Sequence, residues 1–343
     1  MYIPSVNHSK TDIKGISLPG SFKKTVKDGT NLIIACSSPQ DKIEIEYELT
    51  LEKHGQTLSD SNGKILLTNF LVTPAVYRNG APVMTYVSSF GDPYIYDLNN
   101  YEISIKMDRN MNIFAPGETG EVIAGDRRVA RFKAVNVRDF PAVLESGAEV
   151  ATERHGGTSV YYIDSLGARE FVNHAFDFAE NSIGPYPYKE FYVVRAPISN
   201  KGMEFSNMIF LSDECFKNTD TLRRVAYHEV FHQWFYGIIG TDQLNEPFLD
   251  EGLVNYLSVM LCNDSLPAAY NDRFFGMRLC DYKTREEYVD LAYNNATLYF
   301  NALHKALGDN FISLLKKLYN EKKFSRLYFD DFKKYADQAM SNR

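Results

Sequence analysis

Two histidines four positions apart constrain the fold of this chain more than any other feature of its 343 residues. His228 and His232 lie in a segment whose apolar residues recur at helical spacing. Those residues are Leu222, Val225, Ala226 and Phe235. Side chains four apart share one helix face, with Cβ atoms about 5–6 Å apart, so two imidazoles can reach one ion. Glu229, one position further round the helix from His228, would lie beside that ion, where a general base is needed.

Glu251 could supply a third ligand for such an ion. Eighteen residues lie between His232 and Glu251. The intervening stretch 237–247 is rich in Gly, Asn and Pro, so it predicts a turn that returns a second helix alongside the first. Two histidines and one carboxylate leave the fourth position of a tetrahedral zinc ion open for water. Taken singly, a histidine pair can be structural and a helical glutamate is usually solvated. Their combination on two adjacent predicted helices favours a catalytic zinc site.

The first 150 residues carry the pattern of β-strands. In 42–53, apolar residues alternate with polar ones, which indicates a strand with one buried face. The apolar positions are Ile43, Ile45, Tyr47, Leu49 and Leu51. Further strands are predicted at 31–35, 65–72, 83–87, 101–107 and 128–137. Many short strands with hardly a helix predict an antiparallel sandwich or saddle.

The pattern changes near residue 150. The sequence now predicts a helix, two short strands and then several helices, at 167–182, 191–196, 204–211, 221–236, 249–262, 295–307, 309–319 and 329–340. The polar stretch 152–157 is the predicted connection between the two parts. We therefore predict an α+β chain, with a β-rich N-terminal domain at 1–150 and a mixed-sheet, mainly helical domain at 151–343.

Charge and apolar runs narrow the classes of function. The formal net charge of −7 argues against a nucleic-acid partner, since such proteins carry a basic surface. The sequence has no run of 18 apolar residues and no apolar leader behind a basic start, so we expect no membrane segment and a cytoplasmic location. The cysteines show no metal-binding spacing, and we expect reduced thiols at Cys36, Cys215, Cys262 and Cys280.

Two segments around the three candidate ligands carry a family resemblance. They are HEVFHQWF at 228–235 and EPFLDEGL at 246–253. With eighteen residues between His232 and Glu251, they closely resemble the aminopeptidase N type of zinc metallopeptidase, a gluzincin. Thermolysin-like endopeptidases share the HExxH pattern but usually hold a longer spacing before the glutamate.

Further motifs extend the resemblance over most of 150–343. GPYPY at 184–188 looks like the family's G-x-Y-P segment, and KGMEF at 201–205 is similar to its G-x-M-E-N exopeptidase motif. YNNA at 293–296, with Leu303, Leu307 and Gly308 behind it, looks like the family's Y-x-K-G helix. Lys201 and Phe205 depart from the exopeptidase motif, whose first residue is glycine and whose last is asparagine.

The resemblance implies a thermolysin-like catalytic domain that holds one zinc ion per chain. It implies that His228, His232 and Glu251 bind this zinc, and that Glu229 activates the attacking water. Zinc lowers the pKa of bound water to about 7, so a carboxylate can take its proton.

The resemblance also implies a role for a tyrosine. Tyr293 would donate a hydrogen bond to the oxyanion that forms when water attacks the peptide carbonyl, a kind of contact whose loss typically costs about 2.7–4 kcal/mol. Tyr288 and Tyr299 are alternatives for this role because they lie close in sequence.

The exopeptidase motif implies a substrate site at Gly202, Met203 and Glu204. The Glu204 carboxylate would pair with the free α-ammonium group of a peptide, which an internal peptide bond lacks. The expected function is therefore zinc-dependent removal of N-terminal residues from peptides with a free N-terminus. The alternatives are an endopeptidase or another hydrolase on the same scaffold, and a non-catalytic peptide-binding protein. The oligomeric state and the preferred N-terminal residue stay open.

Overall fold

The computed structural model describes residues 1–3, 10–19, 22–53, 55–61, 63–86, 88–91, 95–267 and 269–341. Within these ranges, the residues before 150 form strands and no helix. The strands are β1 Lys10–Ser17, β2 Phe22–Asp28, β3 Asn31–Cys36, β4 Glu44–Thr50, β5 Ser59–Ser61, β6 Lys64–Leu67, β7 Tyr77–Arg78, β8 Ala81–Pro82, β9 Asn99–Asp108, β10 Asn112–Phe114, β11 Glu118–Ala124, β12 Arg127–Val137 and β13 Ala142–Glu145.

These strands pair mostly as small antiparallel sheets. The larger ones have the orders β10-β13-β6-β5 and β11-β12-β9, and β1 pairs with β4, β2 with β3 and β7 with β8. The alternation predicted in 42–53 is confirmed in β4, which is shorter, but the apolar face is only half-buried and Ile43 lies exposed before the strand. The predictions at 31–35, 101–107 and 128–137 are confirmed by β3, β9 and β12. The β-rich first part of the chain is therefore confirmed.

Two strand predictions in this part need correction. Only the start of 65–72 is a strand, because β6 ends at Leu67. The prediction at 83–87 is wrong for 83–86, which form no strand, while 87 lies outside the described residues. At Thr85, the backbone pairs with the side chain of Asn31 instead of with a neighbouring strand. Asn31 Nδ2 donates to Thr85 O at 2.7 Å, and Thr85 N donates to Asn31 Oδ1 at 3.1 Å.

A five-stranded mixed sheet opens the second part. Its strands are β14 Val150–His155, β15 Thr158–Ile163, β16 Glu190–Ala196, β17 Gly202–Phe205 and β18 Met208–Ser212. The order is β14-β15-β16-β18-β17; β16 runs parallel to β15 and β18, whereas β14 and β17 pair antiparallel. Hence the stretch 152–157, predicted as a polar connection, is in fact part of the hairpin that joins β14 to β15.

The predicted single strand at 204–211 is two strands. β17 and β18 form a tight antiparallel hairpin that turns at Ser206 and Asn207. Asn207 has a φ of 62°, a left-handed conformation that asparagine tolerates better than most residues. The turn makes β17 the edge strand of the sheet and leaves its residues facing the helices that follow.

The remaining elements are helical. Besides four short 3-10 turns in the described ranges, they are α1 Arg169–Ser182, α2 Thr219–His232, α3 Pro247–Leu261, α4 Arg285–Tyr288, α5 Ala296–Leu307, α6 Asn310–Lys322 and α7 Phe329–Ser341, with a π-helical segment at Val289–Asn295. The helix predicted at 221–236 ends earlier, at His232. Residues after it form turns closed by Gly237 N to His232 O at 2.9 Å and Ile238 N to Gln233 O at 3.0 Å. The α+β class, with a β-rich first part and a helical last part, is confirmed.

Buried polar contacts add to the apolar clusters that join the two parts. Arg138, at the end of the β-rich part, is buried and donates to the carbonyls of Tyr96, Tyr236 and Ser325. A Cβ at Gly240 would stand 2.3 Å from the guanidinium carbon of Arg138, so a larger residue there would displace that guanidinium. None of the helices that the structure describes combines the length and the apolar character needed to cross a bilayer.

Candidate metal centre and cleft

Two central helices build the candidate site. α2 begins behind Asn218, whose side chain accepts from Thr221 N at 2.8 Å, an N-cap contact. α3 begins with Pro247, a residue favoured in the first turn of a helix. Most of its residues are buried, so its first turn lies in the protein interior. Ser258 on α3 donates to the carbonyl of Arg224 on α2 at 2.9 Å, which ties the two helices together.

The three predicted ligand atoms converge on one point. His228 Nε2 and His232 Nε2 are 3.1 Å apart, and Glu251 Oε2 lies 3.3 Å from the first and 3.5 Å from the second. Two ligand atoms bound at about 2.0–2.1 Å to a tetrahedral zinc lie roughly 3.3 Å from each other. The triangle therefore has the size that a zinc-sized ion requires, and its donor set is the one that zinc prefers.

Contacts behind the triangle orient one of these histidines. His232 Nδ1 lies 3.2 Å from the carbonyl oxygen of Phe235 and 3.6 Å from Asp250 Oδ1. A proton on Nδ1 is satisfied by this carbonyl, and the lone pair of Nε2 then points at the other two ligand atoms. Such contacts hold metal-binding imidazoles in their tautomer and orientation.

The electrostatics of the cluster favour a cation. Burial alone would raise the pKa of the Glu251 carboxyl, but its contacts with His228 and His232 hold that pKa well below its usual value. Burial lowers the pKa of His228. Burial would also lower the pKa of His232, but the carboxylates of Glu204 and Asp250 outweigh it and raise that pKa well above its usual value. A cation bound here would displace the proton from His232.

Glu229 stands beside the triangle rather than in it. It follows His228 on α2, is buried, and lines the cavity next to the three ligand atoms. Its carboxylate lies directly against Gly202 on β17, the edge strand. This is a suitable position for a base that acts on a water in the cavity.

The cavity has a volume of about 650 Å³ and is lined from both parts of the chain. The helical part contributes His228, Glu251, Glu229 and residues of the π-helical segment, with His232 behind them. The β-rich part contributes Gly55, Gln56, Thr57, Asn69 and the stretch 88–91. Backbone contacts close one end, where Gly55 N donates to Pro197 O at 3.3 Å and Ser199 N donates to Gly55 O at 2.9 Å. A cavity of this size can hold a short peptide segment.

Of the three tyrosines considered, two line this cavity. Tyr293 lies in the π-helical segment, with its ring nearly parallel to the His228 ring at 6.0 Å between centroids. Tyr288 meets Tyr293 edge-on at 5.5 Å and lines the same cavity. Tyr299 instead packs among buried aromatic rings that include Phe275 at 5.2 Å. π-Helical turns occur often at functional sites because the wider turn redirects side chains.

The predicted substrate residues lie along β17. Gly202, Met203 and Glu204 all line the cavity, and Glu204 is buried at the end nearest His232. At this end of the cavity, Glu204 contacts two buried residues that we did not predict as site residues, Gln243 directly and Asp250 through Gln243. Gln243 Nε2 donates to Glu204 Oε1 at 3.1 Å and to Asp250 Oδ2 at 2.7 Å. Gln243 belongs to no recognisable motif in the sequence. It lies in the stretch 237–247, for which the sequence predicts only a turn.

A comparison with protein families matches the part of the chain that contains this site. Residues 168–342, just over half of the chain, match the peptidase family M1 domain. The matched segment contains the triangle, Glu229, the β17 residues and Tyr293. No curated protein matches the chain significantly.

Proposed function

The chain belongs to peptidase family M1, the aminopeptidase N type of metallopeptidase, and on that premise we propose that it is a zinc-dependent aminopeptidase acting on peptides with a free N-terminus. One observation carries the proposal. The ligand atoms of His228, His232 and Glu251 converge, and two of these residues, His228 and Glu251, line the same cavity of about 650 Å³ as the buried Glu204. A metal centre beside a fixed carboxylate suits hydrolysis of the first peptide bond of a chain.

We assign the zinc to His228, His232 and Glu251, one ion per chain. The observed spacing of 3.1–3.5 Å between their ligand atoms supports this assignment. When bound there, zinc would acidify a water molecule and polarise the carbonyl of the scissile bond. Three protein ligands leave one position for the substrate or water, as in other catalytic zinc sites.

Glu229 is the proposed proton carrier. Its carboxylate would take a proton from the attacking water and then deliver this proton to the nitrogen of the leaving amine. Its burial and its contact with Gly202 support the role, because a base held between the metal centre and the substrate strand meets both reacting groups.

Tyr293 is the proposed donor to the oxyanion. Its hydroxyl would donate a hydrogen bond to the carbonyl oxygen as negative charge develops on it. The near-parallel arrangement of its ring with the His228 ring supports the assignment, since it holds the tyrosine at the rim of the metal centre.

Glu204 is the proposed anchor for the substrate's α-ammonium group. Its carboxylate would pair with that group, while Gly202 and Met203 would lie alongside the first residue of the peptide. A buried carboxylate near the metal centre favours a free N-terminus, because only a substrate with an ammonium group can form an ion pair with it. This is the physical basis for preferring a free N-terminus over an internal bond.

We further propose that 151–343 form a thermolysin-like catalytic domain and that 1–150 form a β-rich domain packed on it. A mixed sheet followed by helices, with an edge strand along the cleft, supports the first assignment. The second is supported by the small antiparallel sheets, all of whose strands end by Glu145.

The decisive experiment compares aminoacyl-naphthylamides with their N-acetylated forms. We expect cleavage of the free-amine substrates, little of the acetylated ones, loss of activity with a chelator and recovery with zinc. Equal cleavage of both forms would instead support an endopeptidase or another hydrolase on this scaffold. Failure of the zinc-loaded protein to cleave any aminoacyl or dipeptidyl substrate would favour a non-catalytic peptide-binding protein.

A further inference from the structure

We propose that Gln243 is a positioning residue that fixes the Glu204 carboxylate for binding the α-ammonium group. It does so by bridging Glu204 to Asp250, behind the metal centre. This inference rests on the proposed function, because it assumes that Glu204 is the amine anchor. It adds a residue from the loop between α2 and α3 to the determinants of exopeptidase specificity.

The geometry of the bridge identifies the donor without ambiguity. The Gln243 nitrogen lies 3.1 Å from a Glu204 oxygen and 2.7 Å from an Asp250 oxygen. An amide NH₂ has two protons, so it can donate to both carboxylates at once. The opposite orientation would direct the carbonyl oxygen of Gln243 at two carboxylates and is therefore unfavourable.

Burial makes this bridge important. Glu204 is 5% exposed, Gln243 6% and Asp250 0%, so water can do little to compensate a lost contact. Two buried carboxylates close together repel each other, and a shared donor between them reduces that cost. Without the amide, the Glu204 side chain could turn toward another cation or proton donor and would no longer hold one defined orientation.

The loop presents Gln243 rigidly. On one side, Asp242 Oδ1 accepts from Asn245 N at 3.0 Å, which closes the turn. On the other side, Leu244 O accepts from Leu279 N at 2.8 Å, which anchors the loop to a distant part of the chain. A side chain held between two pinned neighbours has little freedom to lose when it binds its partners.

The bridge also connects the amine anchor with the metal centre. Asp250 presents its second oxygen to His232 Nδ1 at 3.6 Å, while its first oxygen accepts from Gln243. The hydrogen-bonded bridge from Glu204 through Gln243 thus ends at Asp250, which lies within ion-pair distance of His232 but too far for a hydrogen bond. The bridge thereby fixes Glu204 to a residue that is adjacent in sequence to the ligand Glu251, which suits removal of a single residue.

The test is Gln243→Met, which keeps the shape of the side chain and removes its donor. A hydrogen bond to a charged group is worth enough to change affinity roughly 10- to 100-fold. We expect the KM for a free-amine substrate to rise by about this factor, with kcat changed less than about threefold and zinc retained at one per chain by elemental analysis. Calorimetry should show the same loss of affinity for phenylalaninamide in the zinc-free protein.

A matched control separates this role from the loss of any buried amide. Asn301 is 7% exposed and donates to Pro267 O at 3.1 Å, away from the cavity. Asn301→Leu should lower the melting temperature without changing KM. Should Gln243→Met fail to fold, Gln243→Asn keeps an amide that is one methylene too short for the bridge, and it should show the same rise in KM.

Three outcomes would overturn the inference. KM and the affinity for phenylalaninamide could stay at their wild-type values in the Gln243 variant. The variant could lose zinc, which would make Gln243 a support of the metal site only. Asn301→Leu could raise KM equally. A wild-type protein that cleaves acetylated and free substrates alike would instead contradict the proposed function itself.

Discussion

The carboxylate of Glu229 lies against the α-carbon of Gly202. A Cβ at Gly202 would stand 2.2 Å from Glu229 Oε1 and 2.7 Å from Cγ, closer than any real contact. The backbone of Gly202 does not require glycine, since its φ is outside the left-handed region, so the constraint is space alone. The edge strand and the proposed base can approach this closely only because that side chain is absent.

Gly202→Ala should therefore displace Glu229 while leaving the zinc ligands in place. Overpacking of this kind costs about 1–3 kcal/mol. We expect kcat to fall at least about tenfold, because a misplaced base transfers protons poorly, with zinc content unchanged by elemental analysis. Gly157→Ala is the matched control, since a Cβ there meets nothing within 4 Å. Equal activity of the two variants would contradict the role of this contact.

Glu229→Gln should keep zinc and lose most turnover. The substitution keeps the size of the side chain but removes its ability to take a proton, and general base catalysis typically contributes about 10²–10⁴-fold. Single-turnover kinetics with a free-amine substrate, next to elemental analysis, provide the measurement. Glu170→Gln, at an exposed position early in α1, is the control and should be silent. Survival of activity in Glu229→Gln would show that another group is the base.

The convergence of His228, His232 and Glu251 could be anticipated because each step is local. Helical periodicity defines α2 and α3, and a loop of suitable length returns one beside the other. The bridge from Gln243 to Glu204 could not be anticipated, because it joins a loop to a strand 39 positions away and depends on the whole fold. The same holds for the stretch 88–91, which lines the cavity from the β-rich part.

Two further features, a turn and a π-helical segment, could not be distinguished by the sequence pattern from regular secondary structure. The stretch 204–211 is predicted as one strand, since it contains no glycine or proline to mark a turn. The chain nevertheless reverses at Asn207. The π-helical segment was also missed, because an extra residue in one turn leaves the apolar spacing almost unchanged. The turn and the π-helical segment determine which side chains face the cleft. Missing them therefore affects the prediction of site residues more than the prediction of the fold.

Tyr293→Phe should reduce kcat far more than it changes KM. The lost donor acts on charge that develops only in the transition state, and its removal typically costs about 2.7–4 kcal/mol, or roughly 10²–10³-fold in kcat. Tyr299→Phe, within the aromatic cluster, is the control and should have little effect on kcat. Tyr288→Phe tests the alternative, because this tyrosine also lines the cavity. An effect confined to KM in Tyr293→Phe, or a larger loss of kcat in Tyr288→Phe, would move the role to another residue.

His228→Ala should abolish zinc binding, which elemental analysis measures directly. Two remaining ligands hold a divalent ion far less tightly than three, and the empty position would admit water in place of an imidazole. Differential scanning calorimetry should then show that added zinc raises the melting temperature of chelator-treated wild type but not of the variant, since a ligand stabilises only the form that binds it. His174→Ala is the control, because this histidine contacts Tyr227 at 2.8 Å and lies outside the triangle. Retention of stoichiometric zinc by His228→Ala would mean that the ion is held elsewhere, and the assignment of Glu229, Tyr293 and Glu204 around this centre would fall with it.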